Sequence, residues 1–238
     1  MEIYALNNSN NDFLADLQFF NQYISNEKKS QLLKINRKEE AHRKLLADIL
    51  LRVLITQRLK IGNSAIEFEY NRFGKPFLKG NNTFHFNISH SGNWIICVVD
   101  SELVGIDIEQ MKSIDLEIAK RFFSNEEVKF LFKANKQDQL ERFYDLWTLK
   151  ESYLKAIGVG LSKSLRAFSI SLSNCGSQFT LTDLHSQSDQ CSESQYWFKQ
   201  YCLDPGYKLS VCCKSNEFAE KINLVQLTEI KRKIRFLL

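Results

Sequence analysis

The period of the hydrophobic pattern changes twice along this chain, and that alternation limits the architectures open to it. From about Arg37 to Leu59, the apolar residues Ala41, Leu45, Ile49, Val53 and Leu54 recur at helical spacing, with Arg43, Asp48 and Arg52 elsewhere on the wheel. This predicts an amphipathic helix. From Phe84 to Val99 the pattern alternates and then runs apolar. Ser91-Gly92-Asn93 forms the expected turn between strands Phe84–Ser89 and Trp94–Val99. A third strand is expected from Leu103 to Glu109. The same order then recurs. A helical stretch, Ser124 to Phe132, precedes a longer helix from about Gln139 to Ile157 that Gly158 stops. Strand-like segments follow at Ala167–Leu172, Gln178–Leu181, Gln195–Cys202 and Tyr207–Lys214. Helix-then-sheet, twice, predicts an α+β fold of two similar halves related by a pseudo-twofold axis. The halves are residues 1–103 and 104–238, with a ligand site at their interface. The serine- and glutamine-rich stretch Ser186–Ser194 reads as a surface loop.

Composition narrows the setting. No apolar run approaches the roughly 20 residues of a membrane helix. The start Met1-Glu2-Ile3-Tyr4 lacks the layout of a secretory signal, so a cytoplasmic location is expected. The six cysteines, Cys97, Cys175, Cys191, Cys202, Cys212 and Cys213, form no CxxC pair. Several lie in apolar runs, which reads as reduced core thiols rather than disulfides or zinc ligands. A net charge of +4 does not announce nucleic acid and suits an acidic partner or a phosphorylated ligand. Basic residues cluster at Lys28-Lys29, Arg37-Lys38, Arg43-Lys44 and Lys231-Arg232-Lys233. Each cluster alone fits an ordinary solvated helix face.

Two segments carry chemistry. In Val104-Gly105-Ile106-Asp107-Ile108-Glu109, strand alternation sends Val104, Ile106 and Ile108 into a core and Asp107 and Glu109 to the opposite face, about 7 Å apart. Two carboxylates facing one space repel unless a cation lies between them. Only oxygen donors are nearby, which favours magnesium over zinc. Ion pairing with arginine is the competing reading. In Trp147-Thr148-Leu149-Lys150-Glu151-Ser152-Tyr153-Leu154-Lys155-Ala156, residues Phe143, Leu146, Trp147, Leu154 and Ile157 fill a core arc, with Glu151 and Lys155 at its margin. Lys150 falls inside that arc, so an acidic partner is expected beside it. An ordinary i,i+4 pair would also explain Glu151 and Lys155.

Together, G-I-D-I-E and W-x-x-K-E-S-x-x-K-A resemble the signature of the phosphopantetheinyl transferase superfamily, and more narrowly its surfactin-synthetase-activating type. Arg37–Arg43, Phe73-Gly74-Lys75-Pro76, Phe86–Ser91 and Ile118–Ser124 match the same pattern in order, so roughly residues 1 to 170 are covered. The resemblance implies transfer of the phosphopantetheine arm of coenzyme A to a serine of an apo peptidyl or acyl carrier protein, with release of 3′,5′-ADP. It implies that Asp107, Glu109 and Glu151 bind Mg2+ and that Lys155 acts as a phosphate ligand; Mn2+ accepts the same oxygen ligands, so the choice between the two ions stays open. Ser89 and His90 would lie by the coenzyme A phosphates and Lys75 at the nucleotide end. Lys28, Arg43 and Lys44 are candidates for the 3′-phosphate. Glu127 is the candidate base, with Glu126 its competitor. Carrier recognition is expected at Lys112, Lys120, Arg121, Phe122 and Phe123. With two halves in one chain, a monomer can complete its own site. Two other readings use the same residues: a magnesium-dependent nuclease or phosphatase, and a nucleotide- or protein-binding module without transfer.

Overall fold

The computed structural model describes residues 1–9, 12–172, 179–184 and 196–235. In chain order the elements are β1 (Glu2–Asn7), α1 (Phe13–Phe20), α2 (Asn26–Leu33), α3 (Lys38–Leu59), β2 (Phe68–Tyr70), β3 (Pro76–Leu78), β4 (His85–Ser91), β5 (Trp94–Asp100) and β6 (Val104–Gln110). They continue with α4 (Ala119–Phe122), α5 (Asn125–Phe132), α6 (Lys136–Ile157), β7 (Phe168–Leu172), β8 (Phe179–Asp183), β9 (Trp197–Tyr201), β10 (Tyr207–Cys213), β11 (Ile222–Val225) and α7 (Leu227–Ile234). The long helices and strands β4 to β6 lie where the hydrophobic period places them, whereas β1, β2 and β3 are strands that the pattern does not single out. Gly158, in the left-handed region at φ 71°, ends α6 as expected.

Two sheets build the body, one ordered β11-β1-β5-β4 and one ordered β6-β10-β9. Strand alternation gives the first sheet two apolar faces. Leu6, Ile95, Cys97 and Val99 join Leu45, Ile49 and Val53 of α3, while Ile3, Ala5, Ile96 and Val98 turn the other way onto Val104, Ile106, Ile108, Leu209 and Val211. The seam between the halves is therefore dry core. Burying one such isoleucine contributes about 1.5–3 kcal/mol. On the far side of the second sheet, α6 packs Leu149, Tyr153 and Leu154 against Phe198 and Cys212. The result is four layers, α3, sheet, sheet and α6, and the α+β organisation in two similar halves holds: each half pairs a 22-residue helix with a sheet.

Two expectations are corrected. The boundary at residue 103 separates the sheets but not the chain. β11 pairs in parallel with β1, Ile3 beside Ile222 and Leu6 beside Val225, and α7 sends Leu227, Ile230 and Ile234 into the α3 core. The return covers what would otherwise be an open edge of the first sheet. Among the cysteines, Cys97, Cys212 and Cys213 are buried thiols, but Cys202, just past the end of β9, is exposed. Cys175, Cys191 and the stretch Ser186–Ser194 lie outside the described residues. No helix among the described residues is long and apolar enough to cross a membrane.

Candidate active site

The site forms where α6 lies across β6. Gly105 sets how closely they approach: a Cβ there would stand 2.1 Å from the Ser152 carbonyl oxygen and 2.3 Å from the Ala156 nitrogen. Only glycine leaves room for the helix backbone at that distance. Val104, Ile106 and Ile108 are fully buried in the core between the sheets, as alternation requires. Asp107 and Glu109 turn to the other side, beneath the part of α6 that carries Glu151 and Lys155.

Asp107, Glu109, Glu151 and Lys155 line one cleft of about 330 Å³, together with Ile88, Ser89, His90 and Trp147. The Lys155 ammonium donates to Asp107 Oδ1 at 2.6 Å and to Ser89 Oγ at 2.9 Å. Ser89 Oγ in turn donates to Asp107 Oδ1 at 3.0 Å. Three carboxylates thus share one lysine. Burial raises the pKa of Asp107, against the pull of Lys155 and Ser89. Glu109 is raised by burial and by the Asp107 charge. Glu151 is pushed up to about 7 by burial, with Asp107 and Glu109 adding to the effect and Lys155 opposing it. The second Asp107 oxygen, Oδ2, is buried with no hydrogen-bond partner. His90 is lowered by burial, with Arg43 and Lys155 adding to the effect and Glu40 opposing it.

As they stand, no three His, Cys, Asp or Glu side chains among the described residues are gathered closely enough to enclose an ion. The donor set nonetheless suits a hard divalent cation. It is all oxygen, its carboxylates resist ionising together, one oxygen is orphaned, and the nearest compensating charge is the Lys155 ammonium within hydrogen-bond reach of Asp107, with Lys112 acting on Glu109.

The remaining predicted residues divide. Ser89 and His90 line the cleft. Arg43 lies close by, donating to the Gly92 carbonyl at 3.2 Å and to Glu40 at 3.0 Å, with its Nε buried and unpartnered. Lys44, 3.3 Å from Glu40, is half exposed beside it. Lys28, on α2, stands 3.6 Å from Asp48 and away from the cleft lining.

Lys75 is not placed as expected. Its ammonium donates to the backbone carbonyls of Val104 at 3.3 Å, Lys155 at 2.6 Å and Ala156 at 2.9 Å. Burial there pushes its pKa down to about 8. Lys75 thus closes the carboxyl end of α6, where orphan carbonyls and the negative end of the helix dipole attract a cation. Asn71 assists by donating to the Gly158 carbonyl at 2.7 Å.

Glu127, the candidate base, is engaged by other partners. It is 2% exposed, and both its oxygens accept from Lys150 at 2.7 Å. It also takes the Ser124 amide at 2.8 Å, forming the capping box of α5, and the Ile170 amide at 2.8 Å. It is the acidic partner expected for Lys150, and its acceptor capacity is spent. On the expected carrier face, Phe123 is fully buried against Phe143 and cannot meet a partner, and Phe122 packs edge-on to Trp147. Lys112, Lys120 and Arg121 are exposed, and the apolar groups beside them are Ile114 and Ile118.

Two residues around the site escaped the reading of the sequence. Ser91 Oγ donates to Glu109 Oε2 at 2.7 Å, and Asn87 accepts the Ile106 amide at 2.9 Å. Their signal was positional: both share strand parity with Ser89.

Comparison with known proteins agrees with this geometry. The family model of the 4′-phosphopantetheinyl transferase superfamily matches residues 103–212, and that of the 4′-phosphopantetheinyl transferase N-terminal family matches residues 11–102. The 4′-phosphopantetheinyl transferase Sfp of Bacillus subtilis (strain 168) is 42% identical over 212 residues, covering 89% of this chain and 91% of that protein. The 4′-phosphopantetheinyl transferase gsp of Aneurinibacillus migulanus is 36% identical over 194 residues, covering 82% of this chain and 78% of that protein. A solved holo-[acyl-carrier-protein] synthase from Neisseria meningitidis aligns with 46% of this chain and 94% of its own at a TM-score of 0.39 and 19% identity, a likeness too low to argue from. Both the carboxylate strand and the lysine-bearing helix fall inside the matched span, and the chain belongs to the 4′-phosphopantetheinyl transferase superfamily.

Proposed function

We propose that this chain moves the phosphopantetheine arm of coenzyme A onto a serine hydroxyl of an apo carrier protein, peptidyl or acyl, and releases 3′,5′-ADP. The observation that carries the reading is the single cleft in which Asp107, Glu109 and Glu151 face Lys155, Ser89 and His90. Asp107, Glu109 and Glu151 would hold Mg2+, or Mn2+ in its place. Such an ion would neutralise charge on the diphosphate and on the departing 3′,5′-ADP. Lys155, which lies against Asp107, would move its hydrogen bond from that carboxylate to a phosphate oxygen. Ser89 and His90 line the path of the phosphates, and Arg43 and Lys44 offer charge to the nucleotide's own phosphate. Lys75 acts on the helix that carries Lys155 rather than on the nucleotide.

The carrier would dock through Lys112, Lys120 and Arg121 with Ile114 and Ile118, a basic and apolar mixture suited to an acidic, partly apolar helix. Both halves of the cleft come from one chain, so a monomer suffices. On this reading the protein works in the cytoplasm, where coenzyme A and apo carriers are made. The test is to incubate the protein with coenzyme A, Mg2+ and an apo peptidyl carrier protein and weigh the carrier by mass spectrometry. One added phosphopantetheine per carrier, lost on chelation and restored by Mg2+, is expected. An unmodified carrier under all conditions, or cleavage of coenzyme A without transfer, would overturn the reading.

A further inference from the structure

β6 is hydrogen-bonded along one edge to β10 by a regular antiparallel ladder, from Val104 opposite Cys213 to Gln110 opposite Tyr207. Among the described residues no strand is hydrogen-bonded to its other edge, which instead meets side chains of β4. Asn87, Ser89 and Ser91 occupy alternate positions on β4, so they emerge on one face of their sheet. The amides of Ile106, Ile108 and Gln110 donate in turn to Asn87 Oδ1 at 2.9 Å, Ser89 Oγ at 3.2 Å and Ser91 Oγ at 3.0 Å. Three side chains thereby supply the acceptors that a neighbouring strand would have supplied, and the halves are joined in register without a shared sheet.

The rungs differ in what else they touch. The hydroxyls of Ser89 and Ser91, having accepted a backbone amide, donate onward: Ser89 to Asp107 and Ser91 to Glu109. Ser91 at 2.7 Å makes the shorter contact and, unlike Ser89, has no bond to Lys155. The amide rung at Asn87 touches no carboxylate of the cleft. A hydroxyl pinned by one amide has a fixed direction in which to donate, and that direction fixes the rotamer of the carboxylate accepting from it.

We propose that Ser91 is a positioning residue: held by the Gln110 amide, it aims the Glu109 carboxylate into the cleft and so sets how well the cleft takes a divalent ion. This rests on the metal reading of the site. Groups that orient a ligand in this way typically contribute 10–100-fold to ion affinity.

The test uses the full chain with coenzyme A bound and Mn2+ as the probe, read by electron paramagnetic resonance rather than by turnover. Ser91→Ala should weaken Mn2+ binding about 10–100-fold. Ser91→Thr, which keeps the hydroxyl, should restore it, and Ser91→Cys, with a weaker donor of similar size, should fall between. Asn87→Ala is the control: it should lower the melting temperature much as Ser91→Ala does while leaving Mn2+ affinity within about twofold. Unchanged Mn2+ binding in Ser91→Ala would overturn the proposal. Equal loss of affinity in Asn87→Ala would also overturn it, because the effect would then come from the seam between the halves. If the unaltered chain with coenzyme A bound no Mn2+, the metal reading itself would fall, and this inference with it.

Discussion

Lys150 and Glu151 are neighbours on α6, yet they face opposite environments. Lys150 is fully buried, but its ammonium donates to both oxygens of Glu127 and to the Phe168 carbonyl, each at 2.7 Å, and lies 4.2 Å from the centre of the Phe168 ring. Glu127 is completed in turn by two backbone amides. Charge and hydrogen bonds there are balanced. Across the helix, Asp107, Glu109 and Glu151 share Lys155, all three carboxylates have raised pKa values, and Asp107 Oδ2 accepts from nothing. Both clusters come from the same helix and similar residue types. A closed constellation holds the fold together, whereas an unbalanced one stores an affinity for something the chain does not carry.

If that contrast is right, removing charge should have opposite consequences on the two sides. Asp107→Ala should reduce transfer by at least roughly 10³-fold, about 4 kcal/mol in the barrier, without lowering the melting temperature measured in chelator. Transfer assay and calorimetry on one preparation check both. Glu127→Ala should cost about 3 kcal/mol of stability, because it strands a buried ammonium. That corresponds to a drop of roughly 6–12 °C in a chain of this size. The double change Glu127→Leu with Lys150→Met should recover part of the loss, since a buried pair exchanged for apolar groups is often neutral, while the Ser124 and Ile170 amides stay without their acceptor.

Glu151→Gln should stabilise the metal-free protein. The folded pKa of Glu151, about 7, lies above its ordinary value of 4.5, so its favourable protonated state is fully present below about pH 4.5 and lost as pH rises through about 7. The gain should therefore be absent at pH 4 and reach about 1–2 kcal/mol at pH 8, discounted for the part of the side chain that solvent reaches. Urea melts at the two pH values measure it. The smallest effect is a proton count. Mg2+ binding at pH 6.5 should release a proton from the cleft, detectable as a calorimetric enthalpy that changes with the buffer, and the release should fade by pH 8.5.

Elements with a long period or a strict alternation were legible. The α3 and α6 helices, the β4–β5 hairpin and the two faces of β6 follow from spacing alone. So did the need of Lys150 for an acid, because burial of a lysine has one economical remedy. That the acid was Glu127 was not legible, since its capping position on α5 and its pairing with α6 are separated by 23 residues of sequence. The packing of Lys75 was not legible for a similar reason: a turn residue next to proline says nothing of which helix end the turn will meet. β11 and α7 had a readable signal in Leu227, Ile230 and Ile234, but their return to the first half depends on an open strand edge that only the folded sheet presents. Phe123 beside Phe122 reads as one surface, whereas Phe122 ends α4 and Phe123 follows it in extended backbone, so the two rings part and Phe123 enters the core.

The proposed metal site rests on three carboxylates, two on β6 and one on α6, held ready for a hard cation that would bridge to a diphosphate. Its most direct test is a crystal grown with coenzyme A and Mn2+, examined for anomalous scattering. One peak per chain bounded by Asp107, Glu109 and Glu151, with Lys155 moved from Asp107 towards a phosphate oxygen, is the expected result. Coenzyme A seated in the cleft with the manganese elsewhere, or with none bound and Lys155 still on Asp107, would contradict it.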